Sequence, residues 1–273
     1  IPEQLIRKNI CSESSFFVPA EISKENVILT HQELYYDQLL ALALSKAEQR
    51  QIGFPLSEAL VKRERTIAQG SIQNTQYALE HGISMNIAGG THHAFKNKPG
   101  AFCMLNDQAI AANYLIKKKI SQRVMIVDLD VHQGNGTASI FENMDRVYTL
   151  SFHGKKNYPF IKQNSDFDFG FEDGTTDADY LSKLKYELPR RIDAFEPDFI
   201  FYLAGVDVLK NDKLGRLELS IEGCKERDRF VLNLCKTPNI PVQVSMGGGY
   251  SIYLKEIIDA HSNTFELAQE IFF

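Results

Sequence analysis

Six short apolar runs, set apart by longer stretches with helical spacing, constrain this chain's fold more than any other feature. The runs are "VILT" (27–30), "ISMNIAGG" (83–90), "RVMIVDLD" (123–130), "VYTLSFH" (147–153), "DFIFYLAG" (198–205) and "IPVQVSMGGG" (240–249). Most are too short for buried helices and are rich in Val, Ile and Phe, which suits parallel strands buried on both faces. Between them, Ser57 to His81 reads as a long helix stopped by Gly82, and Asn106 to Lys119 as another with Asn106 and Asp107 as capping candidates. Thr176 to Ala194 opens on a Thr-x-x-Asp phrase and spaces Leu181, Leu184, Leu188 and Ile192 along one face; Gly223 to Cys235 and Tyr253 to Ile271 complete the set. Strand–helix alternation predicts an α/β fold, an open parallel sheet covered by helices on both faces.

With 273 residues, 44% hydrophobic and 24% charged, the chain has ordinary globular composition, and no Pro/Gly/Ser-rich linker divides it. One domain over residues 1–273 is expected, large enough to bury a core without staples. No apolar run is long enough to span a bilayer, and "IPEQLIRKNI" has the pattern of neither a signal nor a transit peptide. Cys11, Cys103, Cys224 and Cys235 are scattered with no CxxC pair. That suits a reduced, cytoplasmic protein, or a nuclear one in a eukaryote. The net charge of −5 argues against direct nucleic-acid binding. The one basic run, "IKKKI" (116–120), reads as a solvated helix end.

Ligands of such sheets sit beyond the carboxyl ends of the strands, and polar residues gather there. In "DLDVHQGNG", Asp128, Asp130 and His132 are two apart, so an extended chain points all three the same way. Carboxylate plus imidazole is ligand chemistry for a divalent metal, with Asp207 of "AGVDVL" as the third donor from another strand end. The plainer alternative is that strand-end aspartates cap the next helix. His92 and His93 follow two glycines in "GGTHHA". They are either turn and packing residues or, beside a metal, an acid–base pair. Tyr250, after three glycines in "MGGGYS", is either a half-buried loop residue or a phenol aimed at a developing oxyanion. Neither a dinucleotide glycine fingerprint nor a P-loop occurs.

The ordered motifs "GGTHHA", "GAFCMLND", "DLDVHQGNGT", "AGVDVL…DKLG" and "GGGY" resemble those of the histone deacetylase family, most closely its class IV branch and bacterial relatives. The similarity runs from roughly His31 to Tyr250. It implies the arginase/deacetylase α/β fold and a hydrolase of N-acylated lysine carrying one Zn²⁺. Asp130, His132 and Asp207 resemble the metal ligands. His93 resembles the general base and then acid, His92 its electrostatic partner, and Tyr250 the carbonyl polariser. Asp128 resembles a residue that accepts from His92 and, with Ser151 and Phe152, a structural K⁺ site; Ser151 reads equally well as a buried hydroxyl bonded to a neighbouring strand. Phe102 and Tyr158 match the aromatic walls of an acyl-lysine channel, Leu214 a further wall, and Ala101 and Gly248 backbone positions near its floor. The substrates implied are acyl-lysine peptides or proteins, or acylated polyamines; no membrane partner is implied.

Some positions depart from the pattern. Asn135 stands where some branches carry aspartate behind the second histidine, so His93 should titrate lower than in those relatives. Asn211 stands where the branch often has glycine, and asparagine tolerates left-handed backbone. The resemblance also leads one to expect a strand and a His-Pro/Arg segment ahead of the equivalent of "IPEQL", with an arginine on the product-release side; the chain as given starts past it. Two readings compete with the lysine deacylase. A two-metal ureohydrolase of the same fold needs more carboxylates than Gln133 and Asn135 supply, and a weakly active acyl-lysine-binding scaffold fits poorly with Tyr250 and both histidines present.

Overall fold

The computed structural model describes all 273 residues. Six strands form one sheet: β1 (Ile83–Asn86), β2 (Val124–Asp128), β3 (Val147–Gly154), β4 (Phe167–Phe171), β5 (Phe199–Leu203) and β6 (Val242–Ser245). Their spatial order is β1-β6-β5-β2-β3-β4, and every pairing is parallel. Four short helices precede the long one near the N-terminus: α1 (Pro2–Arg7), α2 (Lys24–Val27), α3 (Glu33–Leu40) and α4 (Lys46–Ile52) come before α5 (Glu58–His81). Then come α6 (Asp107–Lys117), α7 (Asn135–Phe141), α8 (Asp177–Phe195), α9 (Ile221–Lys236) and α10 (Leu254–Phe272).

The central strands alternate their side chains between two cores, as the pleat requires. Val124 and Ile126 of β2, with Phe199 and Phe201 of β5, pack beside residues of α3, α5 and α6. Met125, Val127, Ile200 and Tyr202 pack on the other face beside residues of α8, α9 and α10. Strands buried on both faces have no polar side, which is why their sequences read as continuous apolar runs.

Helix ends follow local chemistry. Ser57 Oγ accepts from Leu60 N at 3.2 Å, and Gly82 takes φ +86° where α5 stops. Asn106 Oδ1 accepts from Ala109 N at 3.1 Å. Thr176 precedes α8 but makes no capping bond. The carboxylate of Asp177 instead accepts from the backbone and hydroxyl of Ser220 at the head of α9, at 2.8 and 2.6 Å.

The run Val27–Thr30 is not a strand. Ser23 caps a short helix through Asn26 N, and Val27 ends that helix with its side chain in the core. Conversely, Phe167–Phe171 is a strand although Asp168 and Gly170 interrupt its apolar character. It lies at the sheet edge, where alternate residues face solvent. No helix is long and apolar enough to cross a membrane, and all four cysteines are free thiols.

The chain goes outward from β2 to β3 and β4, then returns to place β5 on β2's other flank. The topological switch point therefore lies between β2 and β5, where a crevice opens beyond the carboxyl ends. Because α5 packs along this sheet and its first turn depends on Ser57, Ser57→Ala should cost about 1 kcal/mol. It should appear as a lower urea midpoint at unchanged m-value.

Candidate active site

The backbone ladder between β2 and β5 continues one step past the strands, Leu129 N donating to Leu203 O at 3.1 Å, and then the chains splay. Asp130 and His132 leave from one side of the opening and Asp207 from the other. His132 Nδ1 lies 3.0 Å from Asp130 Oδ1 and 3.1 Å from Asp207 Oδ2. One donor atom from each of the three lies within 4.8 Å of the others, and all three residues are buried. Backbone donors fix the carboxylates: Asp130 accepts from His132 N at 2.9 Å and Gly248 N at 2.8 Å, and Asp207 from Val131 N at 2.9 Å. Gly248 has to be glycine, since a Cβ there would run into both carboxylates.

This donor set demands a cation. Burial works against an imidazolium, yet Asp130 and Asp207 outweigh it and lift His132 to about 11. Burial and the charge of Asp130 together push Asp207 above the usual carboxylate range. Two buried carboxylates are thus balanced by one shared proton-bearing ring, and two oxygen donors with one nitrogen donor suit a divalent metal in its place. It is the one group of His, Cys, Asp and Glu side chains so arranged. Gln133 binds Gln163 and Asp168, and Asn135 binds His93, so neither adds a donor for a second ion.

His92 and His93 reach the same opening from beyond β1, through Gly89 and Gly90 at φ +79° and +78°. The loop is tied down by Asp107. Its Oδ1 accepts from the backbone of Gly90 and of Thr91, each at 2.9 Å, and from Thr91 Oγ1 at 2.8 Å, while Oδ2 accepts from Ser71 Oγ at 2.5 Å. Sequence alone gave Asp107 as a helix-capping candidate; here it is the anchor of the histidine loop. The two imidazoles have their ring centroids 4.1 Å apart but differ in support. His92 Nδ1 donates to Asp128 Oδ2 at 2.6 Å, and His93 Nδ1 to Asn135 Oδ1 at 2.7 Å. Burial disfavours charge on His92, but Asp128 and Asp130 override it and raise it to about 9. Burial, followed by the positive charge of His92 and His132, drives His93 well below its ordinary value. One ring holds charge, and the other keeps Nε2 free as a base.

A cavity of ≈ 750 Å³ opens over these groups, and Ala101, Phe102, Tyr158, Leu214, Gly248 and Tyr250 all line it. Tyr158 stands edge-on to His93 at 4.9 Å, and Phe102 lies 5.8 Å from Tyr250. Phe102 has φ +59°, a left-handed backbone unusual for a bulky residue. Beside it, Gly100 lies so close to the His93 carbonyl that no Cβ would fit. The Tyr250 backbone N donates to Asp212 at 2.5 Å. Burial and then the carboxylates of Asp130 and Asp207 raise its phenol above the ordinary value, so it remains a proton donor.

Ser151 and Phe152 lie apart from this opening. Ser151 is the register partner of Asp128 across β2 and β3, but its hydroxyl pairs with His153 Nδ1 at 3.0 Å. The Phe152 ring is buried among Phe167, Phe169, Phe171 and Tyr180. Asn211 is not left-handed; its amide donates to Glu256 at 3.0 Å.

Sequence reading missed one residue beneath the site. Arg227 of α9 is fully buried, pairs with Asp228 at 2.8 Å, and donates through Nη1 to the carbonyls of Leu129 (3.2 Å) and Gly205 (2.7 Å). Neither carbonyl accepts a backbone bond, because each lies where the chain leaves the ladder. The guanidinium thus fastens together the two segments that carry Asp130 and Asp207. Nothing in "CKERDRF" separates this arginine from solvent-facing ones except its register on the buried face of α9.

Comparison with known proteins agrees with the fold. The model of the histone deacetylase domain matches residues 1–265, and the chain belongs to the histone deacetylase family. It is 38% identical over 268 residues to an uncharacterised protein of Picosynechococcus sp., covering 98% of this chain and 89% of that one. It is 31% identical to histone deacetylase 2 of Arabidopsis thaliana, covering 90% of this chain and 66% of that one. The crystal structure of a histone deacetylase homologue from Aquifex aeolicus superposes with a TM-score of 0.83 at 24% identity, over 97% of this chain and 75% of that one. The fold is that of the arginase/deacetylase proteins.

Two predictions follow from the electrostatics. Asn135→Asp gives His93 an anionic partner and should raise its pKa, by about 1 unit or more. An imidazole can act as a base only when neutral, so for a reaction that uses His93 in this way the acidic limb of the pH–rate profile should move to higher pH by that amount. Metal binding to this donor set must displace the proton of His132, which Asp130 and Asp207 hold up to about 11. Affinity for Zn²⁺ should therefore weaken about tenfold for each unit the pH falls between roughly 9 and 7. Calorimetry in buffers of different ionisation heat should count about one proton released per ion at pH 8.

Proposed function

We propose that the protein is a metal-dependent deacylase of N-acyl-lysine. The observation that carries this reading is the convergence, in one apolar-walled cavity, of the Asp130–His132–Asp207 group with a neutral imidazole and a protonated phenol. Asp130, His132 and Asp207 would hold one zinc ion, which supplies Lewis-acid polarisation of an amide carbonyl and a lowered pKa for water.

The chain's own residues account for the remaining steps. Phe102, Tyr158 and Leu214 accept the methylene stem of a lysine whose charge acylation has removed. His93 Nε2 takes the proton from a water molecule as it attacks the amide carbon, because Nδ1–H is committed to Asn135. Tyr250 O–H donates to the carbonyl oxygen as negative charge builds there. His92, held cationic against Asp128, stabilises that charge and keeps His93 neutral in the resting site. The C–N bond breaks as His93 returns its proton to the departing lysine amine, leaving a carboxylic acid and free lysine. A monovalent cation beside Asp128 and Ser151, should one bind, would be structural and take no part in proton transfer.

Turnover of an acetyl-lysine peptide with Zn²⁺ supplied tests the reading. Activity should vanish with a chelator and return with the metal. Tyr250→Phe should lower kcat about 10²–10³-fold, the usual cost of losing one oxyanion donor. Retained activity in Tyr250→Phe, or indifference to chelation, would rule the mechanism out.

A further inference from the structure

The most exposed residues of the cavity lining are of two kinds only. Phe54, Phe160 and Leu214 are apolar, Phe160 being 85% exposed. Arg63, Lys156, Lys213 and Arg216 are basic and exposed. The lining's only carboxylates are Asp130 and Asp207, both buried at the floor. In a chain of net charge −5, this mouth runs against the average.

The basic charge is only partly cancelled locally. Lys156 and Arg216 share a single carboxylate, Asp173, at 3.7 and 3.3 Å. Lys210 pairs with Glu218, but Lys213 pairs with no carboxylate. Asp212, next to Lys213, turns its oxygens inward to the backbone of Leu214, Gly215 and Tyr250. Lys162 Nζ donates to the carbonyls of Asn157 and Pro159 at 2.6 and 2.5 Å, which adds an ammonium behind the Tyr158 wall. Arg63 has its own partner, Glu64, at 2.8 Å. The exposed aromatic rings extend the tunnel walls outward: Phe54 lies 5.1 Å from Phe102, and Phe160 lies 6.4 Å from Tyr158.

On the deacylase reading, from which this step starts, we infer that the rim selects acyl-lysines flanked by acidic and apolar residues and turns away polycations. Acylation neutralises the side chain that enters the tunnel, so the charges the rim meets are those of the flanking residues. These stay at the mouth, within the ~10 Å over which exposed charges interact at 0.1 M salt. A carboxylate there meets Lys156, Lys213 and Arg216. A lysine-rich tail, or the second ammonium of an acylated polyamine, meets like charge. Acidic segments that also offer an apolar residue to Phe160 and Leu214 fit both features of the rim.

The test uses three acetyl-lysine peptides that differ only in flanking residues: Asp on both sides, Gln on both sides, or Lys on both sides. With the zinc-loaded full chain at low ionic strength, kcat/KM for the Asp peptide should exceed that for the Lys peptide by about tenfold, and the ratio should shrink toward unity in about 0.5 M salt. Lys156→Glu with Lys213→Glu should invert the ratio; because both peptides are compared on the same variant, a general loss of activity cancels. Equal kcat/KM for the two charged peptides, preference for the Lys peptide, or a ratio unmoved by the double substitution would overturn the assignment. No turnover of any of the three peptides would instead overturn the deacylase reading itself. Faster turnover of acetylspermidine than of the Gln peptide would count against the rim alone.

Discussion

Two buried carboxylates facing across a gap of a few ångströms are the constraint around which this protein is built. At about 4 Å and an effective dielectric of 20, their repulsion is on the order of 4 kcal/mol. That is a large fraction of the ~5–15 kcal/mol by which a typical domain is stable. The fold meets it in three ways. His132 places a cationic ring between Asp130 and Asp207, three backbone N–H groups point at their oxygens, and Arg227 brings a guanidinium to the carbonyls just behind them. The approach of Gly248, where any side chain would collide with the carboxylates, follows from the same crowding. A structure that tolerates such a pair only with positive charge close by is one prepared to receive a metal ion.

The two adjacent histidines show how the environment divides one residue type into two behaviours. They are consecutive, equally buried and nearly in contact, yet one faces a carboxylate and the other a neutral amide. The charge on His92 is itself a reason for His93 to stay neutral. Asp107 sets this arrangement from outside, by fastening the glycine turn that aims both rings.

The sheet was legible because strands buried on both faces have to be apolar throughout, and five of the six runs lie in β1, β2, β3, β5 and β6. "VILT" misled because so short a run does not fix a period, and its first residue, Val27, ends the helix that Ser23 caps. The edge strand β4 escaped because Asp168 and Gly170, alternate residues within it, face water. The short helices α1 to α4 and α7 carry too few turns for an apolar stripe to show. At the site, the donors and the tyrosine could be read because they sit at strand ends, whose location the topology dictates. The anchoring by Asp107 and Arg227 could not, since both act on backbone atoms brought near only by the completed fold. The rim was unreadable for a related reason: Lys156, Lys213 and Arg216 lie on separate loops, and only the tertiary structure sets them around one opening.

The crossing at β2 and β5 has a consequence for biosynthesis. His132 and Asp207 are 75 residues apart in sequence, with β3, β4 and α8 lying between them. A chain still emerging from the ribosome exposes Asp130 and His132 well before their third companion exists, and a two-donor fragment grips a divalent ion weakly. A metal ion held by Asp130, His132 and Asp207 together would therefore require the chain through Asp207, because the three-donor group exists only in the tertiary fold.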